Sequence, residues 1–141
     1  MRFFEVTSTI AAGPDAIWPV LTDSAGWSQW DSGVDVVDGT IEPGAKIKLK
    51  FHAAPGQTFP VKVTQFDPPR RLCFTGGMPL GLFKGVRTYS LTPQADGTTT
   101  FHMREEFTGP LLGLIWKSIP DLNPSFRQFA EGLKRRVESR G

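Results

Sequence analysis

The sequence is poor in the residue types that most often carry chemistry, with one cysteine, one tyrosine and two histidines among 141 residues. Cys73 has no partner for an internal disulfide, which excludes a disulfide-stapled secreted scaffold. With only His52 and His102 as further soft ligands it cannot complete a structural zinc site. Asp35 and Asp38 lie on one short segment without further ligands, so no metal is expected. Glycine-rich dinucleotide and phosphate loops, the Gly-x-Ser-x-Gly elbow and the His-Glu-x-x-His pair are all missing, and no cofactor is expected. No apolar run approaches the roughly 18 residues of a membrane span. The start, Met1-Arg2-Phe3-Phe4-Glu5, meets an acid before any run of signal-peptide length. The expectation is a soluble, cytoplasmic protein with no stable membrane insertion.

Charge of one sign is also scarce. The formal net charge is only +2, and residues 124–141 alone hold five bases against two acids, which leaves the remainder slightly acidic. The basic surplus sits where Lys134, Arg135, Arg136 and Arg140 suit the negative end of a C-terminal helix. It needs no polyanion to explain it, and no strip of interleaved bases and aromatics suggests a nucleic-acid partner. What the chain does have is eleven Phe and four Trp, together with fifteen Gly and twelve Pro. So much aromatic surface in one domain-sized chain must be densely packed or must line something. Residues 1–141 read as one domain without repeats or linkers.

Patterning gives the order of elements. Phe3 to Ile10 reads as a strand, and Pro14 and Asp15 open a helix that Pro19 limits. Thr22 to Asp31, with Trp27 and Trp30 three apart, suits a second short helix or an ordered loop. Period two then takes over: strands are predicted over 34–40, 45–52, 58–66, 70–75, 83–92 and 98–108, separated by Pro, Gly and Asp turns. The cleanest is 45–52, where Ile47, Leu49 and Phe51 alternate with Lys46, Lys48, Lys50 and His52. Hairpin-length turns require antiparallel neighbours, because parallel crossovers need a dozen or more residues. From residue 110 the pattern is helical. Asn123-Pro124 reads as a cap and first helical position, followed by the apolar stripe Phe126, Phe129, Ala130, Leu133 and Val137. The prediction is an α+β fold, a curved antiparallel sheet with one long amphipathic helix across it.

In that order, five short stretches resemble the helix-grip superfamily, the SRPBCC or START-like proteins, and most of all its bacterial type 2 polyketide cyclase branch. They are Ala16 to Asp23 leading into Trp27-Ser28-Gln29-Trp30-Asp31, then Phe66 to Leu72, Asp96 to Thr99, Arg104 to Gly109, and Leu133 to Glu138. The resemblance implies a helix-grip fold, with seven strands wrapped around the C-terminal helix and two short helices between strands 1 and 2. It also implies an elongated apolar cavity between sheet and helix. The superfamily hosts carriers, cyclases, dehydratases and chaperone activators on one scaffold, so it indicates fold more than function.

Given such a cavity, alternation turns Leu49, Phe51, Phe59, Val61, Phe74, Phe101 and Met103 inward, and the helical segments add Leu112, Trp116, Phe126, Phe129 and Leu133. Two inward residues are charged: Arg87 and Glu105 share a face of adjacent strands, as a buried ion pair or as polar handles for a ligand carbonyl or hydroxyl. A slip of one residue would turn Arg104 and Glu106 inward instead. Tyr89, beside Arg87, is either core with a satisfied hydroxyl or a proton donor. Both histidines fall on the outer face. Trp27, Trp30 and the loop carrying Met78, Leu80, Leu82 and Phe83 are placed at the cavity mouth, the loop as an adaptable gate. Cys73 is expected on the outer side as an inert thiol. The expected partner is a small hydrophobic molecule, aromatic, polyketide-like or lipid-like. The rival readings are a cyclase or dehydratase with Arg87, Glu105 and Tyr89 as candidate catalytic groups, and a protein-binding module like the chaperone activators.

Overall fold

The computed structural model describes residues 1–140, from which one seven-stranded antiparallel sheet and a long C-terminal helix emerge. The strands are β1 (Arg2–Ile10), β2 (Val34–Asp38), β3 (Lys46–Phe51), β4 (Phe59–Asp67), β5 (Arg71–Gly77), β6 (Lys84–Pro93) and β7 (Thr99–Thr108). Their order is β1-β7-β6-β5-β4-β3-β2, so only the β1–β7 pairing joins strands distant in sequence. Helix α1 (Pro14–Leu21) and a 3-10 turn (Ser24–Ser28) separate β1 from β2. A short 3-10 turn (Pro79–Gly81) lies between β5 and β6, and helix α2 (Leu112–Ile115), a third 3-10 turn (Trp116–Ser118) and helix α3 (Asn123–Arg140) follow β7. This is the helix-grip arrangement. Register breaks at Val34/Val36 and Val63/Gln65 add the local bend that lets the sheet curl.

The alternation of β3 decides which face is inner. Ile47 and Leu49 are buried while Lys46, Lys48 and Lys50 are exposed. Opposite them α3 buries Phe126, Phe129, Ala130, Leu133 and Val137. Side chains of this size each stabilise the fold by about 1.5–3 kcal/mol when fully buried. Polar contacts set the helix against the chain's first strand: Lys134 Nζ donates to the Thr9 carbonyl at 2.6 Å, and the Ala11 N–H donates to Glu138 at 2.9 Å. Gly132 marks the tightest approach, since a Cβ there would lie 2.1 Å from the Asp31 carbonyl oxygen. A glycine inside a helix costs about 1 kcal/mol against alanine; here it admits the Trp30–Asp31 segment.

Two boundaries differ from the sequence reading. Asn123 is the first residue of α3 rather than its cap, and the Asp121 carboxylate accepts the Asn123 N–H at 3.0 Å. The Asp121 side chain thereby satisfies one of the orphan N–H groups of the first turn. Strand β5 also runs through Gly76 and Gly77, which read as loop, because both pair with Gly85 and Lys84 of β6. The apolar loop is thereby shortened to 78–83. Within it Leu80 holds φ at 61° and is 97% exposed, so it faces solvent and lines nothing.

Candidate functional site

The space between sheet and α3 is not uniformly filled. At one end, α1 and the first 3-10 turn plug it. Trp27 is fully buried, donates its indole N–H to the Leu21 carbonyl at 3.0 Å, and packs 5.0 Å from Phe129. Tyr89, Phe74 and Phe101 complete this aromatic cluster. At the other end a cavity of about 690 Å³ stays open.

Four sets of residues wall that cavity. The sheet gives Leu49, Phe51, Phe59, Val61, Phe74, Arg87, Met103, Glu105 and Phe107, and α3 gives Phe126 and Phe129. The segment from the end of α2 to α3 supplies Ile115, Ile119, Pro120 and Leu122, and the β3–β4 turn supplies Ala53, Ala54 and Pro55. Phe83 closes one side, stacked on Phe107 at 5.8 Å. Two inner-face glycines, Gly76 and Gly85, make room where side chains would otherwise stand, and the Gly77 backbone also borders the space. A Cβ on Gly76 would meet the Pro60 carbonyl oxygen at 3.0 Å, so that position is closed to larger residues by backbone.

Arg87 and Glu105 are the charged residues of the lining, joined by four neutral polar ones, Ser32, Gln57, Ser118 and Ser125. They stand directly opposite each other on β6 and β7, which fixes the register in favour of Arg87 and Glu105. Arg87 Nε donates to Glu105 Oε1 at 2.5 Å, and the two side chains are 14% and 16% exposed. Arg104 and Glu106 fall on the outer face, where Arg104 also pairs with Glu5. The Arg87 guanidinium lies 5.0 Å over the Phe126 ring and 5.5 Å over the Phe51 ring, two cation–π contacts. Burial is the largest single influence and would depress its pKa, but Glu105 and Tyr89 together offset it and hold the guanidinium above the ordinary arginine value. Among the described residues the guanidinium makes no other hydrogen bond, so most of its donors are free.

Several expected positions need correction. Trp27 is core rather than rim, because α1 brings it under the sheet. Trp30 is half-buried against Phe129 at 5.1 Å, behind the cavity wall. Tyr89 and Phe101 are fully buried in the plugged end. The Tyr89 hydroxyl is sealed without a hydrogen-bond partner, and burial pushes its pKa up to about 12 despite the nearby Arg87 charge. A proton-donor role toward a cavity ligand is therefore not supported. Leu133 and Leu112 are buried in the packed interior, and Trp116 backs the wall from outside, 5.8 Å from Phe107 and 5.4 Å from Phe4. Leu80 points away from the mouth for the backbone reason given above. His52 is 84% exposed in its side chain and His102 bonds Glu5 at 2.9 Å, so neither reaches the cavity. Cys73, on the outer face with Gln65 and Thr88, does not reach it either.

The wall residues that sequence reasoning missed belong to irregular chain. Ile115, Ile119 and Leu122 are visibly apolar, but no periodicity tells where a prolyl-interrupted segment folds back. Gly85, inside the strand predicted over 83–92, did carry a signal: a glycine within a strand marks a place where something else approaches the backbone.

A family model described as polyketide cyclase / dehydrase and lipid transport matches residues 1–138. No curated protein matches the sequence. Among solved structures, the chain is similar to protein MLL2253 from Mesorhizobium loti, with 20% identity, TM-score 0.73, and coverage of 99% of this chain and 98% of that one. A norcoclaurine synthase point mutant from Thalictrum flavum, in complex with a transition-state analogue, shares 16% identity at TM-score 0.72, covering 99% and 95%. DynU16, from the dynemicin biosynthetic locus, shares 22% identity at TM-score 0.73, covering 99% of this chain and 48% of that one. At these identities the likeness is one of fold. No described helix is long and apolar enough to cross a membrane, and among the described residues no three His, Cys, Asp or Glu side chains cluster as metal ligands would.

Proposed function

The chain belongs to the polyketide cyclase / dehydrase and lipid transport family, and from that premise we propose that it binds a small, largely hydrophobic molecule in the cavity between sheet and α3. One observation carries this reading: a chamber of about 690 Å³, walled mainly by aromatic and aliphatic side chains, within a fold whose other half is tightly packed. The volume falls in the range of small-molecule sites, roughly 300–1,000 Å³, which are apolar with a few placed polar groups. The ligand is aromatic, polyketide-like or lipid-like, and Arg87 and Glu105 orient its polar end. The protein works in the cytoplasm on a molecule that needs shelter from water.

Catalysis is the second reading, favoured by the ion pair facing the chamber, since cyclisation of a reactive carbonyl chain can be steered by shape and a few donors. Native mass spectrometry of gently purified protein, with extraction of any bound species, tests the first reading. A co-purifying apolar molecule released unchanged supports binding. A bare protein that also takes up no apolar fluorophore removes its basis. Turnover of an identified molecule, lost in Arg87→Ala while affinity survives, would establish the second reading in its place.

A further inference from the structure

The ion pair on the chamber wall has more to say about the ligand than that it is apolar. Arg87 and Glu105 sum to no net charge, and each keeps unused capacity: the guanidinium spends only Nε on Glu105. Glu105 Oε2 lies 3.4 Å from the point where a Gly85 side chain would begin, so it looks into space that glycine leaves empty. Both groups are mostly buried among apolar walls, with the Phe51 and Phe126 rings both in cation–π range of the guanidinium. Inside such a wall an added charge is screened by water far less than at the surface, and its cost depends on what it must face.

Resting on the reading that the chamber binds a ligand, we infer that Glu105 makes the site selective for ligands whose buried end is uncharged, and that it excludes carboxylic acids. A carbonyl or hydroxyl oxygen accepts from the free Arg87 donors and leaves the wall neutral. A carboxylate reaching the same donors lies beside the Glu105 carboxylate, and the chamber then holds two negative charges against one positive. Like charges in one low-dielectric site disfavour the charged form of both. Without Glu105, a lone guanidinium among aromatic rings would be a carboxylate trap, given its bidentate fit to that group. Glu105 is thus a specificity-determining residue, and its effect appears as a choice between ligands of one shape.

The test is isothermal titration of the intact chain with three matched probes: naphthalene, 2-acetylnaphthalene and 2-naphthoate, at pH 7. The ketone should bind at least tenfold tighter than the carboxylate, about 1.4 kcal/mol, and also tighter than naphthalene. In Glu105→Gln the order should invert, with the carboxylate preferred over the ketone when each is taken relative to naphthalene. In Arg87→Met the ketone should lose its advantage over naphthalene, which checks the donor by a variant that does not depend on Glu105→Gln folding. A carboxylate that binds the wild-type chain as tightly as the ketone overturns the inference and leaves the binding reading intact. Failure of all three probes to bind overturns both.

Discussion

The two halves of the space under the sheet are built from the same strands and the same helix, yet one is solid and the other hollow. Strand β6 shows it within three residues: Tyr89 lies in a fully packed aromatic cluster, whereas Arg87, two positions earlier on the same face, looks into the chamber. Phe74, Met103 and Phe129 form the partition between them, buried in the core and also lining the cavity. The difference comes from what closes each end. Helix α1 and its following turn push Trp27 and Leu21 into the solid half. The hollow half is spanned by the α2–α3 connection and the β3–β4 turn, whose side chains cover the space without filling it, over a floor that includes Gly76 and Gly85. A strong fold and an open chamber coexist because stability is concentrated in one half and vacancy in the other.

That contrast breaks most sharply at Trp27. Trp27→Ala should lower the unfolding free energy by about 4 kcal/mol, the usual cost of deleting a large buried aromatic, as read by urea denaturation. Phe59→Ala at the rim, where the side chain is already 37% exposed, should cost less than about 1 kcal/mol. Binding of a neutral apolar probe should respond in the opposite order, weakened at Phe59 and nearly unchanged at Trp27 in the folded fraction.

The ion pair comes next. Glu105→Leu leaves a mostly buried cation unpaired and should destabilise by about 2 kcal/mol, below the cost at a fully dry site because the chamber gives partial hydration. Replacing both partners, Arg87→Met with Glu105→Leu, should restore or exceed wild-type stability in the same assay. If the double variant is as unstable as the single, the pair is holding the sheet together and not merely facing the chamber.

How much of this was legible in the sequence follows from which half is considered. The alternation of Ile47, Leu49 and Phe51 and the stripe from Phe126 to Val137 gave away sheet, helix and inner face, because burial on one side imposes a period. The opposition of Arg87 and Glu105 followed from the Asp96-Gly97 hairpin and needed only the register. Which end would be plugged was not legible. Whether Trp27 caps a mouth or fills a core depends on where α1 swings after β1, and that is decided by packing between segments far apart in sequence. The same holds for Leu80, whose apolar character suggested a gate although its backbone turns it outward.

Smaller effects sharpen the comparison at the glycine floor. Gly85→Ala should be tolerated, with stability unchanged or raised by up to about 1 kcal/mol, since its Cβ would find neighbours no closer than 3.4 Å. Gly76→Ala, across the ladder, should cost about 1 kcal/mol or more because the Pro60 carbonyl cannot retreat without disturbing β4.

The smallest change belongs to Tyr89. Tyr89→Phe removes a sealed hydroxyl that has no partner, so stability should move by less than about 1 kcal/mol. As the only tyrosine, Tyr89 also reports on the solid half directly. Its pKa is raised by burial from 10.0 to about 12, so the folded chain holds the proton after the unfolded chain has lost it. The sign follows: this contribution is complete below pH 10 and is lost as pH rises from there toward 12. Tyrosinate absorbance should therefore appear late and together with unfolding; an ordinary titration near pH 10 in the folded protein would show that the solid half admits water.

The most direct measurement of the central claim is a calorimetric titration of naphthalene into wild-type protein and into Val61→Trp, with urea denaturation of both as a check on folding. Val61 faces the chamber from β4, so the larger ring should occupy the vacancy. The account predicts saturable one-to-one binding to the wild type and at least tenfold weaker binding to a variant of similar stability. Equal binding by both, or none by either, would contradict it.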